Sequence, residues 1–200
     1  VYGYSFVDEF KDLGLENGDK ILALDGKKVD RWLTIHHDIV VNETRVIQVE
    51  REGEIMDIHV PDDMTSKLLK LQYTMEPRVP CEIDMFTDDR LQKAGVEVGD
   101  RIIAVDGAPM EFYDEFKDLT RKNSTTFDLT LLRGADTLNV QASTDERGMF
   151  GFSRKMYFDF FGTVVVRYSI WQSVPAGISR GFEITGSYLK QLKMLFKPET

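Results

Sequence analysis

The sequence has one cysteine, Cys81, among 200 residues. A single cysteine excludes an intramolecular disulfide and any zinc site built from several cysteines. Long apolar runs are also missing, since no stretch reaches the roughly 20 uncharged apolar residues that a membrane-spanning helix needs. An excess of positive charge is missing too, because the formal net charge is −9. A dedicated nucleic-acid-binding protein needs a basic face, so this class is disfavoured.

Histidine is scarce, with three residues in all, and none belongs to a His-Glu-x-x-His motif. His36 and His37 are neighbours in the sequence, so on a helix their side chains diverge by about 100°. They cannot converge on one metal ion, and a solvated helix face explains them. The sequence therefore predicts no catalytic residue, no metal ligand and no cofactor within this chain.

What the sequence does contain is 42% hydrophobic residues, enough for packed cores. It also lacks an initiator methionine and begins within a strand-like run, Val1 to Tyr4. We therefore expect a piece of a longer chain, whose catalytic residues, if it has any, lie elsewhere.

The dominant feature is an internal repeat. Residues 14–26 (GLENGDKILALDG) recur without a gap as residues 95–107 (GVEVGDRIIAVDG), an offset of 95 − 14 = 81. Every substitution between the two segments keeps the residue class or replaces one exposed residue with another. We therefore infer two copies of one domain. Asp25-Gly26 and Asp106-Gly107 each follow an apolar run, as is typical of two-residue hairpin turns.

The repeat continues on both sides of this motif. Trp32 and Ile35 correspond to Tyr113 and Phe116, an apolar pair three residues apart that indicates one helix face. A second hairpin is predicted in each copy, around Glu52-Gly53 and around Gly134-Ala135. Each copy is expected to end in a strand, because apolar residues alternate at Leu69, Leu71, Tyr73 and Met75 and again at Phe150 and Phe152.

The Gly14–Gly26 and Gly95–Gly107 segments resemble the signature of PDZ domains in their bacterial, permuted form. Two such copies, followed by Ser173-Val174-Pro175-Ala176-Gly177 and a helical stretch, resemble the tandem PDZ region of bacterial site-2 zinc metalloproteases of the regulator-of-sigma-E type. The resemblance implies an α+β fold, mostly β with short helices, made of two partly open β-barrels or sandwiches. The expected domains are residues 1–68, N-terminally truncated, and residues 69–152 with a leading strand, followed by an extension over 153–200.

In that family, zinc is held by a His-Glu-x-x-His motif and an aspartate on transmembrane helices that this sequence does not include. Leu24-Asp25-Gly26 spells the family's intramembrane Leu-Asp-Gly motif, but its alignment with Val105-Asp106-Gly107 indicates a turn. The resemblance thus implies a substrate-gating part of an intramembrane protease that cleaves membrane proteins such as anti-sigma factors. It places this part on the periplasmic face of the bacterial inner membrane, with zinc only in the full-length protein.

PDZ domains bind an extended peptide by adding it as a strand to a sheet edge. By resemblance, the edge is Tyr2-Gly3-Tyr4 in the first copy and Ile83-Asp84-Met85 in the second. The opposite wall is the helix with Trp32 and Ile35, or with Tyr113 and Phe116. These side chains are explained equally well as core residues. Neither copy shows a plain Gly-Leu-Gly-Phe loop, which weakens the expectation of carboxylate capture.

The C-terminal extension carries a helical stripe of apolar residues with basic residues between them. It predicts an amphipathic helix at a membrane surface, with packing of the same stripe on the second domain as the alternative. The stripe consists of Trp171, Val174, Ile178, Phe182, Leu189, Leu192 and Phe196.

Two other functional classes remain open at this point. One is the PDZ pair of a periplasmic serine protease, although such proteins usually end near the second PDZ domain. The other is a non-enzymatic tandem PDZ scaffold that binds C-terminal peptides.

Overall fold

The computed structural model describes residues 2–62, 64–68, 71, 75–121, 124–161 and 167–195, with side chains omitted at 65, 66, 183, 187 and 190–195. The chain divides into two compact units. The first unit comprises Gly3–Glu76 and Thr163–Thr200, and the second comprises Val1–Tyr2 and Pro77–Gly162. The division at Glu76 and Pro77 lies C-terminal to the expected boundary at residues 68 and 69.

The first unit contains two antiparallel sheets, ordered β3-β2-β4-β5 and β1-β6. A 3-10 turn, Trp32–Thr34, leads into its helix α2. The elements are β1 (Tyr4–Phe6), α1 (Asp8–Lys11), β2 (Lys20–Leu24), β3 (Lys27–Lys28), α2 (Ile35–Val41), β4 (Val46–Arg51), β5 (Glu54–His59), α3 (Met64–Leu68) and β6 (Met75–Pro77).

The second unit repeats this order, with sheets β11-β10-β8-β9 and β12-β7. Its elements are β7 (Ile83–Phe86), α4 (Arg90–Lys93), β8 (Arg101–Val105), β9 (Ala108–Pro109), α5 (Tyr113–Thr120), β10 (Thr126–Arg133), β11 (Asp136–Ser143), β12 (Phe152–Arg154) and α6 (Tyr157–Phe160). In both units the first strand pairs with the last and the four-stranded sheets have the same strand order, as the sequence repeat predicts.

The mixed α+β class is confirmed, and strand pairing is antiparallel throughout the described sheets. None of the four described sheets closes into a barrel. The predicted second hairpins are confirmed as the pairs β4–β5 and β10–β11. Of the residues expected in a strand from Leu69 to Met75, Met75 lies in β6 and Leu71 lies outside regular structure, whereas Leu69 and Tyr73 lie outside the described residues.

Each unit has its own apolar core. In the first unit Phe10, Ile35 and Ile47 have no exposed surface. In the second unit Cys81, Ile83, Leu91 and Ile102 are equally buried. The alternation of apolar and polar residues along β4 and β10 places one face of each sheet in its core, which is the usual origin of such a pattern.

The predicted Asp-Gly turns are confirmed. Asp25 and Asp106 have φ of 47° and 50°, and the following glycines have φ of 74° and 76°. Left-handed backbone at both central positions is the requirement of a type I′ turn. The aspartates add a second function, since the carboxylate of Asp25 accepts hydrogen bonds from the backbone of Arg45 and Val46. Leu24-Asp25-Gly26 is therefore a structural turn.

A pair of equivalent arginines fastens the repeated motif to the second hairpin. Arg51 donates to both carboxylate oxygens of Asp19 at 2.7 Å and to the carbonyl oxygen of Gly14 at 2.7 Å. Arg133 makes the same contacts with Asp100, at 2.7 Å, and with Gly95, at 2.8 Å. The aspartates are 1% exposed, so these bidentate pairs satisfy buried carboxylates. We call these contacts the arginine clamps.

The last helix, α7, runs from Ile170 to Leu195. Pro175 is the sixth residue of this helix, so it removes the backbone N–H that would otherwise donate to the Trp171 carbonyl. Over the described residues, no helix combines the length and apolarity that crossing a membrane requires.

Candidate peptide-binding groove

The predicted edge in the first copy, Tyr2-Gly3-Tyr4, is already paired. The Tyr4 N–H donates to the Asp19 carbonyl at 3.0 Å, and the Gly18 N–H donates to the Tyr4 carbonyl at 2.8 Å. The other side of β1 pairs with β6. Tyr2 belongs to the second unit, where its ring lies 5.3 Å from that of Phe112. A peptide could add to β1 only by displacing existing backbone contacts.

The predicted edge in the second copy, Ile83-Asp84-Met85, has the same arrangement. Ile83 exchanges backbone hydrogen bonds with Asp100 and Gly99 at 2.9 and 2.8 Å. On its other side, β7 pairs with β12. The Asp84 side chain is exposed and Met85 is 55% exposed, but the strand itself has neighbours on both sides.

The helix residues of the prediction divide into core and surface. Ile35 is fully buried and Phe116 is 4% exposed, so both belong to the cores, as the alternative interpretation held. Trp32 lies in the 3-10 turn before α2 and is partly buried against the first core. Tyr113, the first residue of α5, is half-buried and packs against the second core.

Strand β12 offers the edge that β7 does not. In its two-stranded sheet it pairs with β7 alone, within the described residues. The Gly151 carbonyl accepts from the Thr87 N–H, and the Lys155 N–H donates to the Glu82 carbonyl, both toward the β7 side. Because backbone groups alternate along a strand, those of Phe152 and Arg154 point away from β7.

Helix α5 forms the second wall of this groove. The Phe152 ring packs edge-on against Phe116 at 5.8 Å, and the Arg154 guanidinium lies 4.3 Å from the Tyr113 ring centroid. Lys117, one turn along α5, has its ammonium 5.4 Å from the same ring. We call the space between β12 and α5 the β12–α5 groove. The rings of Phe116, Phe152 and Tyr113 line it.

Sequence reasoning missed β12 as the exposed edge. A signal was present in residues 148–152 (GMFGF). This loop is similar to a Gly-x-Gly-Phe loop, except that two residues instead of one separate its glycines. Phe150 is buried against Phe116 at 5.1 Å, so the loop anchors β12 to the groove helix.

The loop before β12 is held by Asp88. A Cβ built on Gly151, whose φ is +78°, would lie 2.1 Å from the Asp88 Oδ2 atom. Asp88 is fixed in turn by the side chain of Arg90, which donates to both of its carboxylate oxygens at 3.0 and 2.6 Å. The Arg90 side-chain hydrogen bond also lowers the Asp88 pKa. Only glycine fits at position 151.

The N-terminus of α5 is fixed by charged groups. The Arg78 Nε atom donates to both Asp114 oxygens at 3.0 and 3.1 Å, and its Nη2 donates to Glu115 at 2.6 Å. Burial raises the Glu115 pKa. Hydrogen bonds from the backbone N–H groups of Glu111 and Phe112 and from Arg78 lower it by more, so the net shift of the Glu115 pKa is downward. Tyr113 is therefore presented from a rigid helix start.

The C-terminal stripe is exposed where its side chains are described. Trp171 is 88% exposed and Phe182 75%, and Val174, Ile178 and Leu189 lie between 57% and 63%. The Leu192 side chain and all of Phe196 lie outside the described residues. The membrane-surface role of this stripe stays a prediction.

Within the part of the chain that the structure describes, no three His, Cys, Asp or Glu side chains are placed so that they could hold a metal ion. His36 and His37 lie on α2, and the His37 ring is 3.5 Å from the Asp38 carboxylate. A scan of the sequence against models of known protein families finds no match.

Proposed function

We propose that the second unit binds an extended peptide segment, which adds as a strand to the edge of β12 and packs its side chains against α5. The observation that carries this proposal is the position of β12, paired on one side with β7 and flanked on the other by a helix instead of a strand. Strand addition of this kind is the PDZ mode of peptide recognition.

The chain as a whole is, on this proposal, the tandem PDZ region of a bacterial site-2 zinc metalloprotease of the regulator-of-sigma-E type. Its role is to gate membrane-protein substrates, including anti-sigma factors, during regulated intramembrane proteolysis. Support comes from the duplicated Gly-x-x-x-Gly-Asp motif, here at Gly14–Asp19 and Gly95–Asp100, and from two units with one strand order. The zinc and its ligands belong to the transmembrane part of such an enzyme, and the units lie on the periplasmic face.

Helix α7 gives the proposed membrane contact. Its exposed stripe includes Trp171 and Phe182, and Arg180 lies on the same helix, as is typical of helices at an anionic lipid surface. Flotation with liposomes of mixed phosphatidylcholine and phosphatidylglycerol tests this contact. Phe182→Glu is expected to reduce partitioning, and equal partitioning of the variant and the parent protein would remove the membrane role.

Peptide binding is tested by selecting ligands from a random peptide library displayed on phage, and by measuring the anisotropy of a selected, labelled peptide. Arg154→Pro removes a backbone N–H from the outer edge of β12, and pairing with β7 is retained because that N–H points away from β7. Arg154→Ala loses the same side chain and keeps the N–H. Loss of binding in the proline variant beyond that in the alanine variant supports strand addition, and equal binding by both refutes it.

The family assignment has a separate test in the coding sequence on either side of these 200 residues. A His-Glu-x-x-His motif in a preceding transmembrane segment is expected. A Gly-x-Ser-Gly-Gly motif there would instead identify a serine protease.

A further inference from the structure

The first unit has a small cavity between the β2–β3 hairpin and helix α2. Its volume is about 260 Å³, just below the roughly 300–1,000 Å³ of pockets that hold drug-sized ligands. The cavity therefore suits a smaller ligand. Charged side chains of both signs line it: the cations Lys27, Lys28 and Arg31, and the carboxylates Asp25, Asp30 and Asp38.

Two of the carboxylates already accept hydrogen bonds within the unit. Asp25 accepts from two backbone N–H groups where β4 begins, both at 2.9 Å. Its counterpart in the second unit, Asp106, accepts from the backbone of β10 at 3.0 Å, so this carboxylate serves the fold that both units share. Asp38 accepts from the Asn42 side chain at 3.4 Å. These hydrogen bonds offset part of the negative charge at the cavity.

The three cations have no such role in the fold. All three residues are exposed, and within the residues that the structure describes none of them forms an ion pair with a carboxylate. At the repeat offset of 81 they correspond to Ala108, Pro109 and Phe112. The second unit forms the same hairpin, β8–β9, without these charges. The hairpin therefore does not require them, and they distinguish the first unit from the second.

We infer that this cavity binds a small phosphate ester, whose phosphate group is held by Lys27, Lys28 and Arg31. Phosphate oxygens are strong hydrogen-bond acceptors, and Lys and Arg are the side chains that usually bind them. Three cations within residues 27–31 also create a local positive potential on a chain whose net charge is −9. The cavity belongs to the first unit, so its ligand does not depend on peptide binding by the second.

A phosphate ester has two sources, a free small molecule or the headgroup of a phospholipid. Helix α7, the proposed membrane contact, packs against α2 within the first unit. Helix α2 therefore borders both the cavity and the helix that is proposed to contact lipid. Because the phosphate chemistry is the same in both cases, the two sources are separated by experiment.

The expected binding is weak, because the three cations are exposed. Single exposed ion pairs contribute little in water, so the loss of one cation should weaken binding by about 3- to 10-fold. Salt screens charges that are accessible to solvent, so binding should also weaken as the salt concentration rises.

The test is a titration of the whole chain with glycerol phosphate, followed by NMR spectra of the backbone amides. Saturable shifts at residues 27–31, without shifts at the equivalent residues 108–112, are the expected result. Sodium sulfate at equal ionic strength controls for general screening. Lys28→Gln, Arg31→Gln and the double variant should bind stepwise more weakly, whereas the matched control Lys11→Gln, which removes the same charge on α1, should bind like the parent protein. The urea midpoint of Trp32 fluorescence checks that each variant is folded.

Liposome flotation in a Phe182→Glu background separates the two sources. Phosphatidylcholine vesicles are compared with vesicles that also contain phosphatidic acid. Flotation that requires phosphatidic acid, and that falls with Arg31→Gln or with added glycerol phosphate, supports a lipid headgroup. Shifts with glycerol phosphate but no such flotation support a free ester. Absence of saturable shifts at residues 27–31, equal shifts with sulfate, or equal binding by the double variant and Lys11→Gln overturns the phosphate site, and each leaves peptide binding by the second unit untouched.

Discussion

Replacing Gly151 with alanine is expected to destabilise the second unit more than the same change at Gly148. Both glycines have left-handed backbone, with φ of +78° and +77°. An L-residue in that region costs roughly 1–2 kcal/mol, so this contribution is common to both variants. The surroundings differ, because a Cβ at Gly148 meets nothing within 4 Å, whereas one at Gly151 overlaps the Asp88 carboxylate at 2.1 Å.

The overlap cannot be relieved without loss elsewhere. If Asp88 turns away, its side chain leaves the Arg90 guanidinium, and if the loop moves, the Gly151 carbonyl leaves the Thr87 N–H at 2.8 Å. Overpacking of this kind costs typically about 1–3 kcal/mol. The expected loss in free energy of unfolding is therefore about 2–5 kcal/mol for Gly151→Ala and about 1–2 kcal/mol for Gly148→Ala.

The chain provides a reporter for this unit. Both tryptophans, Trp32 and Trp171, belong to the first unit, so their fluorescence follows the first unit. Cys81 is the single cysteine and is fully buried in the second core, so its labelling by a thiol reagent during urea unfolding follows the second unit. The difference in stability between Gly151→Ala and Gly148→Ala should disappear when Asp88→Ala is added to Gly151→Ala. Equal urea midpoints for the two single variants would refute the overlap argument.

Three further predictions follow from the same structure. Burial raises the pKa of Cys81 to about 12. The stability of the second unit should therefore fall by about 1.4 kcal/mol per pH unit above the unfolded thiol pKa of roughly 8.5. Cys81→Ala should lose this pH dependence when unfolding is followed by circular dichroism. The side-chain hydrogen bond from Arg133 lowers the pKa of Asp100, so this contribution to stability is present above the ordinary aspartate pKa and should be lost as pH falls from there through the lower pKa of the folded state. Arg133→Ala should remove this part of the acid dependence of unfolding followed by circular dichroism and leave the Trp32 fluorescence transition unchanged. An equal shift of the Trp32 transition would contradict a clamp confined to one unit. In the first unit, Gly3→Ala places a Cβ 2.0 Å from the Gly18 carbonyl oxygen, whereas the Cβ of Gly26→Ala meets nothing within 4 Å. In a Trp171→Phe background, Gly3→Ala should therefore lower the urea midpoint of Trp32 fluorescence more than Gly26→Ala does. Equal midpoints for these two variants would argue against the contact.

The sequence predicted those features that depend on a few adjacent residues. Asp25-Gly26 and Asp106-Gly107 form the expected turns, because left-handed backbone is a property of the dipeptide itself. The hairpins around Glu52-Gly53 and Gly134-Ala135 were also predicted from local turn residues, and they are the pairs β4–β5 and β10–β11. The repeat then predicted that both units share one strand order, which the structure has.

The features that the sequence did not predict depend on contacts between distant segments. Arg51 and Arg133 look like ordinary strand ends in the sequence, and their clamps exist only because the hairpin ends return to the Gly-Asp turns. The exposed edge of β12 was missed for a similar reason. The pairing of Phe152 with Phe86 decides which strand has an exposed edge, and it joins residues that are 152 − 86 = 66 positions apart in the sequence.

The offset between the repeats shows where the two units have diverged. The motif residues differ by 95 − 14 = 81, whereas the clamp arginines differ by 133 − 51 = 82. The extra residue therefore lies between the first hairpin and β10, in the segment that includes the groove helix. Strand pairing and clamps, which stabilise each unit, are kept on both sides of the change.

The helix that follows the first hairpin differs in chemistry between the two units. At the repeat offset of 81, Lys117 and Tyr113 of the second unit correspond to His36 and Trp32 of the first. Burial and the neighbouring His37 lower the His36 pKa, which favours the neutral form of this side chain, whereas its counterpart in the second unit is a lysine. Duplication has therefore preserved the strand order of the two units, while the charge carried at this helix position differs between the copies.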